Sequence, residues 1–361
     1  MLQPEINAGV LFLGMSFSPA YACYAVIAGK NATADGSVLF AHSELNFGQS
    51  FNNFRVVPGI AYEPGAEIQL THGGMLPVLE ESYSFIWSEN FGIRGCDAYL
   101  NEWGVACASD GTHSVEDSRD KLIERGDIID GGIGYLLRRQ VARRARTARE
   151  GVHIVGALIK HFGCNFQGVT LTIADPNEAW VVSMAGGRHW VAQRVPDDEV
   201  VVLANVNIIE EVNLRDTINF LASPGLVEYA IKREWYDPKS GKPFNYKDAF
   251  DSPGNGWFES TNGCDARQWR GQCLVTGKTI PLPVKENLPF SVKANRKMTV
   301  QDMRDILSDH LEGSEFDKSQ AYTLGSPHDV LNPGDGIICS QYDQENAKKL
   351  NNELRTRFLG S

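Results

Sequence analysis

Hydrophobic positions along this chain fall into short blocks of two kinds. The first kind is a run of five to seven apolar, β-branched or aromatic residues bounded by turn residues. Residues 23–29 and 37–41 form the first pair, and the stretch between them ends in Asp35-Gly36, a strong turn dipeptide. This pattern predicts a β-hairpin that starts at Cys23. A second β region, 97–109, breaks at 101–104. Four more runs follow at 169–174, 178–184, 189–194 and 200–205, separated by Asp175-Pro176-Asn177, Gly186-Gly187 and the turn 196–199. They predict a meander of strands. The second kind of block has helical spacing and covers 118–125, 134–145, 148–162 and 299–311, with a last helix at 345–358. Thr147 and Glu150 have capping-box spacing ahead of the third helix. Paired helices followed by evenly spaced strands predict an α+β layered sandwich with antiparallel sheets. There is no parallel βαβ alternation and no GxGxxG, so a dinucleotide fold is not expected.

The residues before Cys23 change the picture most. Residues 8–17 are apolar, and Ala20-Tyr21-Ala22 is a small-x-small cleavage signal. Glu5 is the only charged side chain ahead of Cys23, so the usual positive n-region is missing. Cutting before Cys23 produces a chain whose first residue carries both a thiol and a free α-amine. That amine titrates at about 7.7–8.0, so it serves as the base for its own nucleophile. The leader 1–22 predicts a secreted or periplasmic protein rather than a cytoplasmic one. An autoprocessed propeptide of a cytoplasmic enzyme is the other reading. Asn31-Ala32-Thr33 matches a glycosylation sequon and reads as turn chemistry.

Charge and composition narrow the class. A net charge of −11 argues against nucleic-acid binding, and 42% hydrophobic residues is ordinary for a globular chain. Arg138, Arg139, Arg143, Arg144, Arg146 and Arg149 cluster on helical sequence and read as a solvated face of salt-bridge donors. No apolar stretch reaches the roughly 18–20 residues of a membrane span. The seven cysteines contain no CxxC pair, and HExxH is absent, so no metal site and no cofactor are expected. Cys264 and Cys273 have the spacing of a short disulfide loop or of two free thiols.

Four segments together resemble the dipeptidases of the N-terminal-nucleophile cysteine type, more distantly related to bile salt hydrolases and penicillin V acylases. They are Cys23 through Asp35-Gly36-Ser37 to Glu44, and Tyr99-Leu100-Asn101-Glu102-Trp103-Gly104-Val105-Ala106. The third joins Ile173-Ala174-Asp175-Pro176-Asn177-Glu178-Ala179-Trp180 to His189-Trp190-Val191-Ala192-Gln193-Arg194-Val195-Pro196-Asp197-Asp198. The fourth is Arg267-Gln268-Trp269-Arg270. The resemblance implies a four-layer αββα sandwich over 23–325, preceded by the leader 1–22 and followed by a C-terminal segment, 326–361, read as a truncated remainder of a longer family tail. It implies hydrolysis of the amide bond of a small peptide substrate.

The resemblance also implies roles. Cys23 attacks the carbonyl carbon. Asn205 donates to the oxyanion. Arg270 and Arg267 bind the substrate carboxylate or polarise the nucleophile's surroundings. His42 stands where relatives carry arginine, Leu45 where they carry the aspartate that orients the amine, and Asp110 where they often carry asparagine. An ionised carboxylate only accepts hydrogen bonds, so Asp110 does not serve as an oxyanion donor. Glu44 and Asn46 neighbour the missing aspartate. Cys23 with His42 also suggests a thiolate–imidazolium pair. The rival readings keep the chemistry for a penicillin- or bile-salt-type acylase, or lose it in an impaired member that acts as a binding or structural protein. Self-association into a homo-oligomer stays open.

Overall fold

The computed structural model describes residues 23–43, 52–70, 73–90, 96–251, 264–281 and 288–314. The leader 1–22, Glu44, Leu45, Asn46, the helix expected at 345–358 and the C-terminal segment 326–361 lie outside the described residues.

The predicted blocks within the described residues form strands and helices, and further elements lie between them. The first hairpin is β1 (Tyr24–Ala28) and β2 (Leu39–Ser43), with Gly36 at positive φ in its connection. Then come β3 (Asn52–Val57), β4 (Ile60–Ala61), β5 (Glu67–Gln69), β6 (Met75–Pro77), β7 (Glu81–Ser82) and β8 (Phe85–Asn90). The predicted second β region is β9 (Cys96–Asn101) and β10 (Ala106–Gly111). Three helices follow: α1 (Arg119–Glu124), α2 (Leu136–Arg144) and α3 (Ala148–Phe162). Next are β11 (Val169–Ala174), β12 (Ala179–Met184), β13 (Trp190–Arg194), β14 (Val200–Leu203) and β15 (Phe220–Ala222). The remaining helices are α4 (Leu226–Lys232), α5 (Tyr246–Phe250), α6 (Cys264–Thr276) and α7 (Val300–Leu307).

Two sheets carry the architecture. The larger has eight strands in the order β15-β13-β12-β11-β10-β9-β8-β3. The smaller has three, β14-β1-β2. The expected meander therefore ends at β13: β14 leaves it to flank β1, and β15 takes the vacated edge. β14 is an edge strand of the small sheet, yet all four of its residues are buried, so both of its faces are covered.

Alternation along the strands sorts side chains between layers. On β12, Trp180, Val182 and Met184 pack with α2 and α3, while Val181 joins the core shared with the small sheet. On β11, Leu171 and Ile173 take the helix side. Helices α2 and α3 cover the outer face of the large sheet, and α6 and α7 lie against the small one. The stack reads α2/α3, large sheet, small sheet, α6/α7: a four-layer αββα sandwich.

Several motif residues turn out to be staples. Asn101 Nδ2 donates to the carbonyls of Ala142 and Ala145, and its Oδ1 accepts from the amides of Trp103 and Val105. One side chain thus closes the β9–β10 turn and ties it to the end of α2. Asp175 accepts from Asn177 and Glu178 and also from Ala148 N, an otherwise unpaired amide in the first turn of α3. Thr147 caps that helix by accepting from Glu150 N. The Glu150 carboxylate bonds Arg146 N instead of the cap residue, so only half of the expected box forms.

The arginine cluster corrects the sequence reading. Among the described residues its side chains form no salt bridges, and of the six only Arg146 is exposed. Arg138 is buried and donates to Ser109 Oγ, and Arg139 lies 4.3 Å over the Trp87 ring. Arg143 bonds Tyr62 Oη, Arg144 the Pro77 carbonyl and Arg146 Tyr83 Oη, while Arg149 sits over Trp180. Aromatic faces and carbonyls suit the flat, weakly hydrated guanidinium, and helical spacing alone does not reveal them.

Candidate active site

Cys23 immediately precedes the central strand of the small sheet. Ala25 faces Leu203 of β14 on one side and His42 of β2 on the other. Extending the β1–β14 register by two residues brings Cys23 opposite Asn205. Side chains two apart share a face, so Cys23, Ala25 and His42 look toward the large sheet. Tyr24 looks the other way, and its hydroxyl donates to the Arg267 carbonyl on α6. Burial pushes the Tyr24 phenol well above its ordinary value, which keeps it a neutral donor.

Arg267 binds this end of the sheet together. Its Nη1 donates to the Cys23 carbonyl at 2.6 Å, and its Nη2 to Asn205 Oδ1 at 3.0 Å. Asn205 Nδ2 then donates to the Gly111 carbonyl at 2.8 Å, across to the large sheet. A guanidinium gives several donors in a fixed fork, so one side chain sets both the Cys23 backbone and the Asn205 amide. The close seat of α6 depends on Gly271. A Cβ there would stand 2.3 Å from Tyr24 Oη and 2.6 Å from Val202 Cγ1.

The chemistry available is that of a buried thiol beside a fixed amide. Asn205 Nδ2 carries two hydrogens and Gly111 takes one, which leaves a donor for a ligand oxygen. The positive Arg267 fork sits on the Cys23 backbone. A polar row crosses the inner face of the large sheet at this end. Asp110 faces Thr170 across β10 and β11, and Thr170 lies 3.3 Å from Ser183 on β12. All three are fully buried. His42 Nε2 reaches to 3.7 Å from Asp110 Oδ1.

The residues expected from the sequence divide accordingly. Cys23, Asn205 and Arg267 come together, and His42 joins them through Asp110. Arg270 stands in an ion pair of its own. Asp309 holds it with two bonds of 2.9 Å, Nε to Oδ1 and Nη2 to Oδ2, so its fork is committed to a bidentate ion pair. Arg267, expected at the substrate carboxylate or in the nucleophile's surroundings, holds the Cys23 carbonyl and the Asn205 amide. One helix position decided this: Arg267 shares a face with Gly271, four residues on, where α6 touches the small sheet. Trp269 is a packing residue, buried, with Nε1 donating to the Ile280 carbonyl. Tyr24, Gly111 and Gly271 were not foreseen. A glycine directly after Arg-Gln-Trp-Arg in a helical stretch was the available signal.

The remaining thiols sit elsewhere. Cys264 and Cys273 are nine residues apart on α6, about 13 Å along the axis, which rules out the short disulfide loop. Cys273 is partly buried, and Cys107 and Cys164 are buried. Burial pushes the Cys164 thiol up to about 12. Among the described residues, no group of three or more His, Cys, Asp and Glu is arranged to hold a metal ion, and no helix is long and apolar enough to cross a membrane.

The chain belongs to peptidase family C69, whose model matches residues 22–332. A probable dipeptidase of Latilactobacillus sakei is 28% identical over 302 residues, covering 82% of this chain and 62% of that protein. A dipeptidase of Bifidobacterium longum is 29% identical over 330 residues, covering 82% and 60%. The chain thus spans about three fifths of the length of these curated relatives. Penicillin V acylase from Agrobacterium tumefaciens overlays with a TM-score of 0.33 at 16% identity, over 48% of this chain and 49% of that one. The layer order given above rests on the chain's own contacts.

Proposed function

We propose that this protein is a cysteine dipeptidase whose nucleophile is Cys23, exposed as the N-terminal residue when residues 1–22 are removed. One observation carries the reading: Arg267 clamps the Cys23 carbonyl and the Asn205 amide in one fork at the head of β1. The match to family C69 begins at residue 22, directly before the thiol, and two relatives bear the name dipeptidase.

In this mechanism the α-amine of Cys23 takes the thiol proton, and sulfur attacks the peptide carbonyl carbon. The carbonyl oxygen becomes an oxyanion, for which the second hydrogen of Asn205 Nδ2 is a preset donor. Collapse breaks the C–N bond, and the ammonium returns its proton to the departing amine. Water, deprotonated by the same amine, then cleaves the thioester and regenerates the thiol. No metal or organic group enters any step. The substrate is a small peptide, and the leader fits export to the periplasm or outside the cell.

Intact mass and N-terminal sequencing of wild type and Cys23→Ala, followed by assay on a dipeptide panel, test the reading. Wild type should begin at Cys23 and hydrolyse dipeptides, while Cys23→Ala should lose at least about 10³-fold in rate. A wild-type chain that retains residues 1–22 after export-competent expression, or a Cys23→Ala variant as active as wild type, overturns it.

A further inference from the structure

Asp110 is wholly buried, and neither of its carboxylate oxygens has a hydrogen-bond donor among the described residues. A carboxylate in that condition is costly unless a cation joins it. The ionic partner in view is His42, 3.7 Å away and itself nearly buried.

Its location follows from two contacts. Gly111 accepts from Asn205 just beyond β14, while Asp110 faces His42 on β2. These flank β1 on opposite sides, and neighbouring strands lie about 4.8 Å apart. Two consecutive residues of β10 that touch both flanks pass beneath the N-terminal end of β1, where Cys23 stands. The groups facing Asp110 come from each packed element. They are His42 from β2, the thiol and future α-amine of Cys23 from β1, Arg267 of α6 on the Cys23 carbonyl, and the Thr170 hydroxyl from β11. Glu44 lies outside the described residues.

We infer that Asp110, paired with His42, is a positioning residue for Cys23: its buried carboxylate anchors the α-ammonium of the processed chain, and His42 shares that charge. The inference rests on the N-terminal-nucleophile reading. Processing supplies a cation at the head of β1, on the face turned toward Asp110, whose ionic partner among the described residues is the His42 imidazole. Acylation turns the amine into an ammonium as the thiol proton crosses to it, so an anion here holds both the geometry and the charge of that step. Removing the anion makes the ammonium easier to deprotonate. Removing His42 leaves the anion to the amine alone and has the opposite effect.

The test is the pH profile of kcat/KM on a dipeptide, measured with processed wild type, Asp110→Asn and His42→Gln. The acid limb of Asp110→Asn should move down by about one pH unit, and that of His42→Gln should move up. A purely structural role lowers activity without moving the limbs in opposite directions. Limbs that superimpose on wild type, or that move together, overturn the inference. If Asp110→Asn does not fold, His42→Gln decides alone: an upward shift supports the pair and an unmoved limb rejects it. Processed, active wild type with unmoved limbs sinks only this inference. Wild type not cut before Cys23 sinks the nucleophile reading as well.

Discussion

The two layers on either side of the large sheet are built from the same strands and differ sharply in content. The layer toward α2 and α3 is filled by bulky side chains, among them Trp180, Phe162, Ile159, Ile173 and Leu137, all essentially inaccessible. The layer toward the small sheet is lined mostly by alanine and valine, and at one end it turns polar, with Asp110, Thr170, Ser183 and Asn205. The first layer is packed for stability. The second keeps its β-layers close with small residues and holds Asp110, whose carboxylate has no hydrogen-bond donor among the described residues. Buried polar atoms cost free energy where they lack partners, and both carboxylate oxygens of Asp110 are such atoms on the side of the large sheet that faces the small one.

The largest expected contrast between the layers is thiol reactivity. Cys164, on the helix side, is held near 12 by burial, so its thiolate fraction at neutral pH is about 10³-fold below that of an ordinary cysteine. Alkylation of the processed native protein, read by peptide mass spectrometry, should label Cys23 first and leave Cys164 unlabelled until unfolding. Equal labelling of both would erase the distinction. Trp180→Ala strikes the packing layer and should cost about 3–5 kcal/mol by denaturant titration. Where it still folds, the Cys23 labelling rate should hold. A loss of Cys23 reactivity in step with stability would show that the layers act as one.

Gly271→Ala sharpens the comparison from the other side. The added methyl meets Tyr24 Oη and Val202, so α6 must shift, at a cost of about 1–3 kcal/mol. Because Arg267 rides on the same helix, dipeptide turnover should fall by more than the stability change explains. Turnover that tracks stability alone would remove α6 from the site. The smallest effect concerns His189, which stacks on Tyr229 and pairs with Ser223 Oγ at the margin of the helix-side layer. Burial holds its imidazole below the ordinary 6.5. The unfolded chain therefore binds a proton before the folded one does. The His189 contribution is fully present above pH 6.5 and is lost as pH falls below it. His189→Gln should flatten stability against pH in that window, and an unchanged slope would assign the acid sensitivity elsewhere.

Much of this was legible along the chain. Alternation and turn dipeptides located β1, β2 and β9 to β13, and helical spacing located α1 to α3, because each depends on near neighbours. The cleavage signal pointed to Cys23, and the motif order to Asn205. The partners of the arginines were not legible. Arg267 and Arg270 have the same chemistry and lie within one turn, yet one reaches Cys23 and the other Asp309. Likewise β14 reads as another meander strand, and its transfer to the small sheet is what sets Asn205 opposite Cys23.

The sequence by itself determined the family and the blocks that became β1, β2, β9 to β13 and α1 to α3, and it pointed to Cys23 as the proposed nucleophile, since period, turn chemistry and the residues around residue 23 are local properties. Only the tertiary structure decided which charge meets which. His42 is 68 residues from Asp110 in the chain, and Arg267 is 244 from Cys23. Such pairings depend on which faces the layers turn toward each other, and that is settled by packing across all four layers at once.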